Sequence, residues 1–184
     1  MKKQTNNLLK HTVADLYRDT TEAERVELID GQYYDMPMTN TMHQQLMSEI
    51  SSQIHSYIHD RELPDQVYCG RFGVFFDDYN MAEPDISVIQ DKAKLSDRGC
   101  EGAPDWIIEI VMPGDPLHDY VTKLEKYSAE GVREYWIVDG MKQKVTVYCF
   151  EQDVYAESHT FNEPVKSYLY KDLIMDFSIM DLRL

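Results

Sequence analysis

A largely apolar segment lies near the middle of the chain, GAPDWIIEIV at 102–111, in which seven of the ten residues are apolar or Gly. Its bulky residues predict a strand that is buried on both faces: Trp106, Ile107, Ile108, Ile110 and Val111. Glu109 lies inside this run. An ionised carboxylate in such a place costs several kcal/mol unless a cation, a metal or hydrogen-bond donors meet it. Glu109 is therefore either neutralised by a structural partner or part of a functional site.

The N-terminal part alternates between helical and extended patterns. Residues 12–18 have apolar positions at helical spacing, and Thr12 with Asp15 forms a capping-box pattern, which predicts a short helix. Residues 25–35 predict a hairpin with an Asp-Gly turn at its centre. Within that hairpin Glu27 alternates with apolar neighbours, a pattern that favours an outward-facing position.

Residues 41–61 carry an apolar stripe at helical spacing and predict a long helix. His55 and His59 lie to one side of that stripe, without the glutamate of a zinc motif, and are expected on a solvent-exposed face. His43, near the helix start, fits an inward-facing site residue and equally a core or capping histidine.

The following segments predict extended structure. Residues 66–77 predict a strand with a bend at its glycines, and Asp85 opens a largely apolar strand at 83–89. Residues 91–101 are rich in charge and are expected to form a loop that leads into the apolar run.

A second helix is predicted at 117–130, after a turn at 112–116. Tyr120 and Tyr127 mark its inward face, and Lys123 falls about 60° from the first and about 40° from the second. Lys123 can therefore reach a buried acid. It can also form an ion pair with Asp119, one turn before it.

The C-terminal third predicts more strands, at 133–138, 144–150, 154–161 and 168–170, followed by a tail at 171–184 whose spacing indicates no element. The order of elements favours one α/β or α+β domain over 1–184, with a mixed central sheet flanked by the two main helices.

Composition limits the function classes. The chain has 184 residues, with 33 acids against 18 bases, for a net charge of -15. Such a charge opposes non-specific attraction to nucleic acid or anionic membranes, but not a metal-dependent enzyme whose acids are neutralised by cations. No apolar stretch of about 18 residues predicts a membrane span. Three cysteines without a CxxC pair and an N-terminus without an apolar signal core favour a cytoplasmic protein.

Pro84-Asp85, followed about two dozen residues later by Glu109 inside an apolar strand, resembles the core of the PD-(D/E)XK nuclease superfamily. Within it, the chain is most similar to the Uma-type family of endonucleases. The resemblance covers nearly the whole chain in six blocks: VELIDG at 26–31, His43, PDISVI at 84–89, GAPDWIIEI at 102–110, Asp119 with Lys123, and GVREYWIVD at 131–139.

This resemblance implies a restriction-endonuclease-like fold that uses Mg²⁺, or Mn²⁺, to hydrolyse phosphodiester bonds of nucleic acid, DNA in preference to RNA. It implies that Asp85 and Glu109 are the metal ligands, and Glu27 an additional acid. The usual lysine two residues after the second acid is absent, since Val111 stands there. The family pattern places this lysine on the next helix, at Lys123.

Two further candidates and one departure complete the comparison. His43 and Asp119 are secondary site candidates, and MPGDP at 112–116 departs from the serine-proline-serine-like stretch of the family. Three readings stay open: a nuclease, a catalytically silent binding or regulatory module on the same scaffold, or acids with a structural role in which Lys123 is the counter-ion of Glu109. A homodimer is expected if both strands of a duplex are cut.

Overall fold

The computed structural model describes residues 9–21, 23–112, 118–152 and 154–180. In these ranges the helices are α1 (Val13–Asp19), α2 (Thr41–Asp60), a π-helix (His118–Lys123) that continues into α3 (Leu124–Glu130), and 3-10 turns at Lys92–Lys94 and Phe150–Gln152. The strands are β1 (Val26–Ile29), β2 (Gln32–Asp35), β3 (Gln66–Cys69), β4 (Gly73–Asp77), β5 (Asn80–Ala82), β6 (Ile86–Ile89), β7 (Leu95–Ser96), β8 (Gly99–Glu101), β9 (Trp106–Ile110), β10 (Glu134–Asp139), β11 (Lys144–Cys149), β12 (Val154–Thr160), β13 (Val165–Lys166) and β14 (Ile174–Met175).

The strands form two six-stranded mixed sheets and a small two-stranded one. The first sheet has the order β2-β1-β5-β4-β8-β7, and the second has the order β12-β11-β10-β9-β6-β3. In the second sheet β9 and β10 run parallel, whereas the other neighbours are antiparallel. The architecture is thus α+β, with mixed sheets flanked by helices.

The second sheet is covered on both faces, as the apolar run at 106–111 predicts. The apolar stripe of α2 packs on one face, against a core that includes Trp106 and Trp136, whose rings meet edge to face at 4.9 Å. On the other face Ile107 packs in a second cluster with Tyr127 of α3. His55 and His59 are exposed, as expected.

The predicted short helix at the N-terminus and its capping box are confirmed. Thr12 is the N-cap of α1, and its side chain and that of Asp15 form the reciprocal capping box. The predicted hairpin is the β1–β2 pair.

Two predictions in the middle of the chain are wrong in detail. Residues 66–77 form two strands, β3 and β4, which belong to different sheets. The chain turns at Gly70, which has φ +74° and whose N–H donates to the carbonyl of Asp85. The charged segment 91–101 is not a plain loop, because it contains β7 and β8.

The predicted strand at 168–170 is also wrong. The backbone N–H groups of Tyr168 and Leu169 donate to the buried carboxylate of Glu134 at 3.1 and 2.7 Å, so they are not available to a strand partner. The ladder here is formed by β13 and β14 instead. The tail, for which the sequence indicated no element, contains β14 and adds Phe177 and Met180 to the core under α2.

The predicted helix at 117–130 begins as a π-helix and ends at Gly131, which has φ +92° and serves as the C-cap. Residues 113–116 of the predicted turn, and residue 117, where the predicted helix starts, lie outside the described residues. No helix within the described ranges combines the length and the apolar character that a membrane span requires.

Candidate active site

A cleft of about 110 Å³ opens between β1, the start of α2, the end of β9 and the π-helix. All six side chains that the sequence singled out line it: Glu27, His43, Asp85, Glu109, Asp119 and Lys123. These residues are spread over almost a hundred positions of the sequence, and the fold brings them into one site.

Glu109 lies in β9 with only 3% of its surface exposed. Its Oε1 accepts hydrogen bonds from Lys123 Nζ at 2.9 Å and from the hydroxyl of Tyr127 at 2.7 Å. Its Oε2 lies 3.4 Å from the backbone N of Asp85. Burial raises the pKa of Glu109 well above its usual value; Lys123 lowers it, while neighbouring carboxylates, Asp85 first, raise it further. Burial is thus the main cause that favours the protonated form of Glu109, and Lys123 opposes it.

Asp85 is fixed at both of its carboxylate oxygens. Oδ2 accepts the backbone N–H of Ile110 at 2.8 Å, which ties Asp85 to the end of β9. Oδ1 lies 3.0 Å from Nε2 of His43, whose side chain is buried. His43 therefore points inward from the first turn of α2, where Asn40 caps its backbone N–H.

Lys123 is the buried cation of the site. Its Nζ lies 2.9 Å from Glu109, 3.0 Å from Glu27 and 3.7 Å from Asp119. Burial opposes the charged form, but these three carboxylates outweigh it and raise the pKa of Lys123 well above its usual value. Lys123 is therefore an ammonium, and it makes both contacts expected for it, with the buried acid and with Asp119.

The outward orientation that alternation favours for Glu27 is wrong. Glu27 is 1% exposed, because β1 lies inside the first sheet and this face of it is closed by the π-helix. Its Oε1 accepts the backbone N–H of Glu83 at 2.9 Å. Burial raises the pKa of Glu27, but Lys123, His118 and the Glu83 amide outweigh burial and bring it to about 2.

Two site residues were missed as functional groups by sequence reasoning. His118 places Nε2 3.2 Å from Glu27, and its ring stacks on Tyr34 at 4.5 Å. Tyr127 was recognised as inward-facing, but only the structure shows that its hydroxyl bonds to Glu109. No periodic signal marks His118, because it belongs to a π-helix and not to a regular α-helix.

The donor set can be compared with what a metal ion requires. Among the described residues, no group of three or more His, Cys, Asp or Glu side chains is arranged to hold a metal by itself. Asp85 and Glu109 both bring carboxylate oxygens, which are hard donors, to the lining of the cleft, and the cleft has room for several waters. Mg²⁺ commonly takes one or two carboxylates and completes its shell with water and phosphate oxygens. The residues therefore fit a Mg²⁺ of that kind, and not a zinc ion with three or four protein ligands.

Comparison with solved structures supports the fold. The chain is similar to the crystal structure of a "putative nuclease belonging to DUF820" from Anabaena variabilis, with a TM-score of 0.76 and 22% sequence identity. The match covers 93% of this chain and 96% of the other. The fold is therefore restriction-endonuclease-like, as the resemblance implies.

Comparison with protein families covers nearly the same length. No curated protein matches the chain significantly. The model of the Uma2 family, described as "Putative restriction endonuclease", matches residues 13–180. With most of its length inside this match, the chain belongs to the Uma2 family.

Proposed function

We propose that this protein is an endonuclease that uses Mg²⁺, or Mn²⁺, to hydrolyse phosphodiester bonds of nucleic acid, DNA in preference to RNA. The observation that supports the proposal is the adjacency of Asp85 and Glu109 in one cleft, with the ammonium of Lys123 2.9 Å from Glu109. The chain also belongs to the Uma2 family, whose description, "Putative restriction endonuclease", agrees with hydrolysis of nucleic acid in this cleft.

Each side chain has a distinct task in this proposal. Asp85 and Glu109 would hold the metal ion, which supplies Lewis-acid polarisation of the phosphate and lowers the pKa of bound water. Tyr127 and Lys123 both engage Oε1 of Glu109, whereas Oε2 has only the backbone N of Asp85 at 3.4 Å and would be the oxygen offered to the metal ion. His43 and the amide of Ile110 keep the carboxylate of Asp85 in one orientation.

The buried ammonium has an electrostatic task. Because Lys123 stays charged, it can stabilise the negative charge that develops on the phosphate in the transition state. It does not act as a base, since its neighbours hold the proton on Nζ. Glu27 also positions Lys123, through a contact of 3.0 Å to its ammonium.

The proposal extends to partners and location. Nucleic acid is the proposed partner, and two copies of the chain would act together when both strands of a duplex are cut. We also propose a cytoplasmic location, in agreement with Cys69, Cys100 and Cys149, which are all free thiols. Light scattering of the protein alone and on a DNA duplex measures the number of copies.

Calorimetric titration with Mn²⁺ and Mg²⁺ tests the metal site without a known substrate. We expect binding by the wild type and its loss in Asp85→Asn and in Glu109→Gln. Glu134→Gln is the matched control, because it also neutralises a buried acid of the second sheet but lies outside the cleft. The same four proteins are then incubated with duplex DNA, single-stranded DNA and RNA in Mg²⁺, and only wild type and control should cleave.

Other outcomes separate the alternatives. Metal binding without cleavage of any of the three nucleic acids would favour a silent binding module on this scaffold. Absence of both binding at millimolar metal and cleavage would contradict the proposal and leave the acids a structural role.

A further inference from the structure

We propose that Arg25 is the substrate-anchoring cation of the cleft, and that its guanidinium binds a backbone phosphate of the nucleic acid. This inference rests on the proposed function, since it names the group that would hold the substrate beside the metal site. It follows from the charges of the residues that line the cleft and from the position of Arg25, which directly precedes β1.

The cleft is short of positive charge. Five carboxylates line it, those of Glu27, Asp35, Asp85, Glu109 and Asp119, against two permanent cations, Arg25 and Lys123. Nucleic acid is a polyanion, and these carboxylates repel it unless a cation of the cleft contacts its phosphates. One bound divalent ion would offset only part of this excess.

Lys123 cannot supply that anchor. It is 3% exposed, and its ammonium is shared among three carboxylates of the protein at 2.9 to 3.7 Å. Its ammonium contacts the protein's own carboxylates, so it can act on the reacting phosphate through its charge but does not hold the substrate by direct contact. Arg25 is therefore the remaining permanent cation that the described lining of the cleft offers to a substrate.

Arg25 is held in place by one loose contact. Its Nε and Nη2 both donate to the same oxygen of Glu83, Oε2, at 3.3 Å. No partner among the described residues engages Nη1, so one edge of the planar guanidinium stays open. That edge can bind a phosphate in the two-pronged manner that favours arginine over lysine.

Glu83 couples Arg25 to the rest of the site. Its side chain contacts Arg25, its backbone N–H donates to Glu27 at 2.9 Å, and it lies two residues before Asp85. Arg25 directly precedes β1, and both Arg25 and Glu27 line the cleft. A phosphate bound to Arg25 would therefore lie in the same cleft as the carboxylates that would hold the metal.

Binding to a fluorescein-labelled DNA duplex of about 20 base pairs, or two helical turns, tests the proposal. Fluorescence anisotropy is measured in Ca²⁺, a hard divalent cation that replaces Mg²⁺, at several salt concentrations. The variants are Arg25→Gln and Arg25→Lys. Arg18→Gln is the matched control, because it removes the same charge from α1, where Arg18 pairs with Asp15 and Asp19 outside the cleft.

We expect Arg25→Gln to weaken duplex binding about 10-fold or more and to reduce the slope of log K against log salt by about 1. Arg25→Lys should keep most of that slope but bind less tightly than wild type, because it keeps the charge and loses the fork. Arg18→Gln should change neither quantity. Calorimetric metal binding should be the same in all four proteins.

Unchanged affinity and slope in Arg25→Gln would overturn the inference while leaving the metal-dependent nuclease proposal intact. If wild type bound neither this duplex nor the corresponding single strand, both proposals would fail together. If Arg25→Gln did not fold, Arg25→Gln with Glu83→Gln replaces it, because this pair leaves no unpaired carboxylate at the site.

Discussion

Glu109 and Glu134 are two buried glutamates on neighbouring strands of one sheet, and their surroundings differ in kind. In the parallel pairing of β9 and β10, Glu109 lies opposite Ile137 and Glu134 opposite Trp106, an offset of three positions. Because side chains alternate along a strand, the two carboxylates point to opposite faces of the sheet. Glu109 faces the cleft, and Glu134 faces the C-terminal segment.

Glu134 is met by neutral donors. Its oxygens accept hydrogen bonds from the Trp136 indole at 2.6 Å, the Ser167 hydroxyl at 2.9 Å, and the backbone N–H groups of Tyr168 and Leu169 at 3.1 and 2.7 Å. These donors lie almost entirely in one segment, so the carboxylate fastens that segment to the sheet. Glu109 instead shares one cation with two other acids beside an open cleft.

Burial of an acid therefore does not by itself indicate a catalytic or metal-binding function. In the sequence Glu109 stands out because it lies in an apolar strand, but Glu134 lies in an apolar strand as well. What separates them is the type of partner. Neutral donors from one segment indicate a structural anchor, whereas several acids around one ammonium indicate a site that can accept a further cation.

Lys123→Met should produce the largest change in stability. It leaves the acids of the cleft without their shared ammonium, and we expect a loss of about 3–5 kcal/mol in the free energy of unfolding. Urea denaturation measures it. Adding Glu109→Gln should restore only part of the loss, because Glu27 also pairs with Lys123. Full recovery in the double variant would mean that Lys123 serves only as the counter-ion of Glu109.

Glu134→Ala tests whether Glu134 is a structural anchor. Four donors lose their buried acceptor, and we expect a loss of about 3 kcal/mol. Metal binding by the folded variant should equal that of the wild type, since Glu134 does not line the cleft. A variant that is stable but binds no metal would place Glu134 in the same functional unit as Glu109.

The pH dependence of stability should reveal Glu27. Its pKa is about 2 in the folded protein against 4.5 for an unperturbed glutamate, so its ionised form stabilises the fold. That stabilisation is complete above pH 4.5 and is lost as the pH falls from 4.5 towards 2. Relative to Glu27→Gln, the wild type should lose roughly 2–3 kcal/mol over this window. The free energy of unfolding is measured by urea denaturation at several pH values. If it changed with pH by the same amount in both proteins, the assigned ion pair would be contradicted.

Tyr127→Phe should have the smallest effect. It removes one of the donors to Glu109 and leaves Lys123 in place, so we expect a loss of about 1 kcal/mol in the free energy of unfolding. Metal affinity should fall modestly, because Oε1 of Glu109 loses one of two restraints. Thermal melting and calorimetry measure the two quantities, and Tyr135→Phe, whose hydroxyl donates to the backbone of Asp119 at 3.1 Å, serves as a control outside the Glu109 contact.

Local patterns in the sequence were enough for a large part of the fold. The buried strand β9, the amphipathic α2, the capped α1 and the β1–β2 hairpin all follow from interactions between residues a few positions apart. Helical spacing also predicted that Lys123 lies beside the inward face, and the interval from Lys123 to Tyr127 is indeed α-helical, whereas residues 118–123 form a π-helix in which the angle per residue differs.

Most of the main helices and strands can therefore be predicted from local patterns, and the resemblance to a nuclease family indicates which acids belong together. Three features depend on the packing of distant segments: Glu27 faces inward, the backbone of residues 168 and 169 donates to Glu134, and Arg25 lies at the cleft. The contact between Glu27 and Lys123 spans almost a hundred residues. Such contacts depend on how two sheets and their helices pack, which no local period of apolar residues encodes.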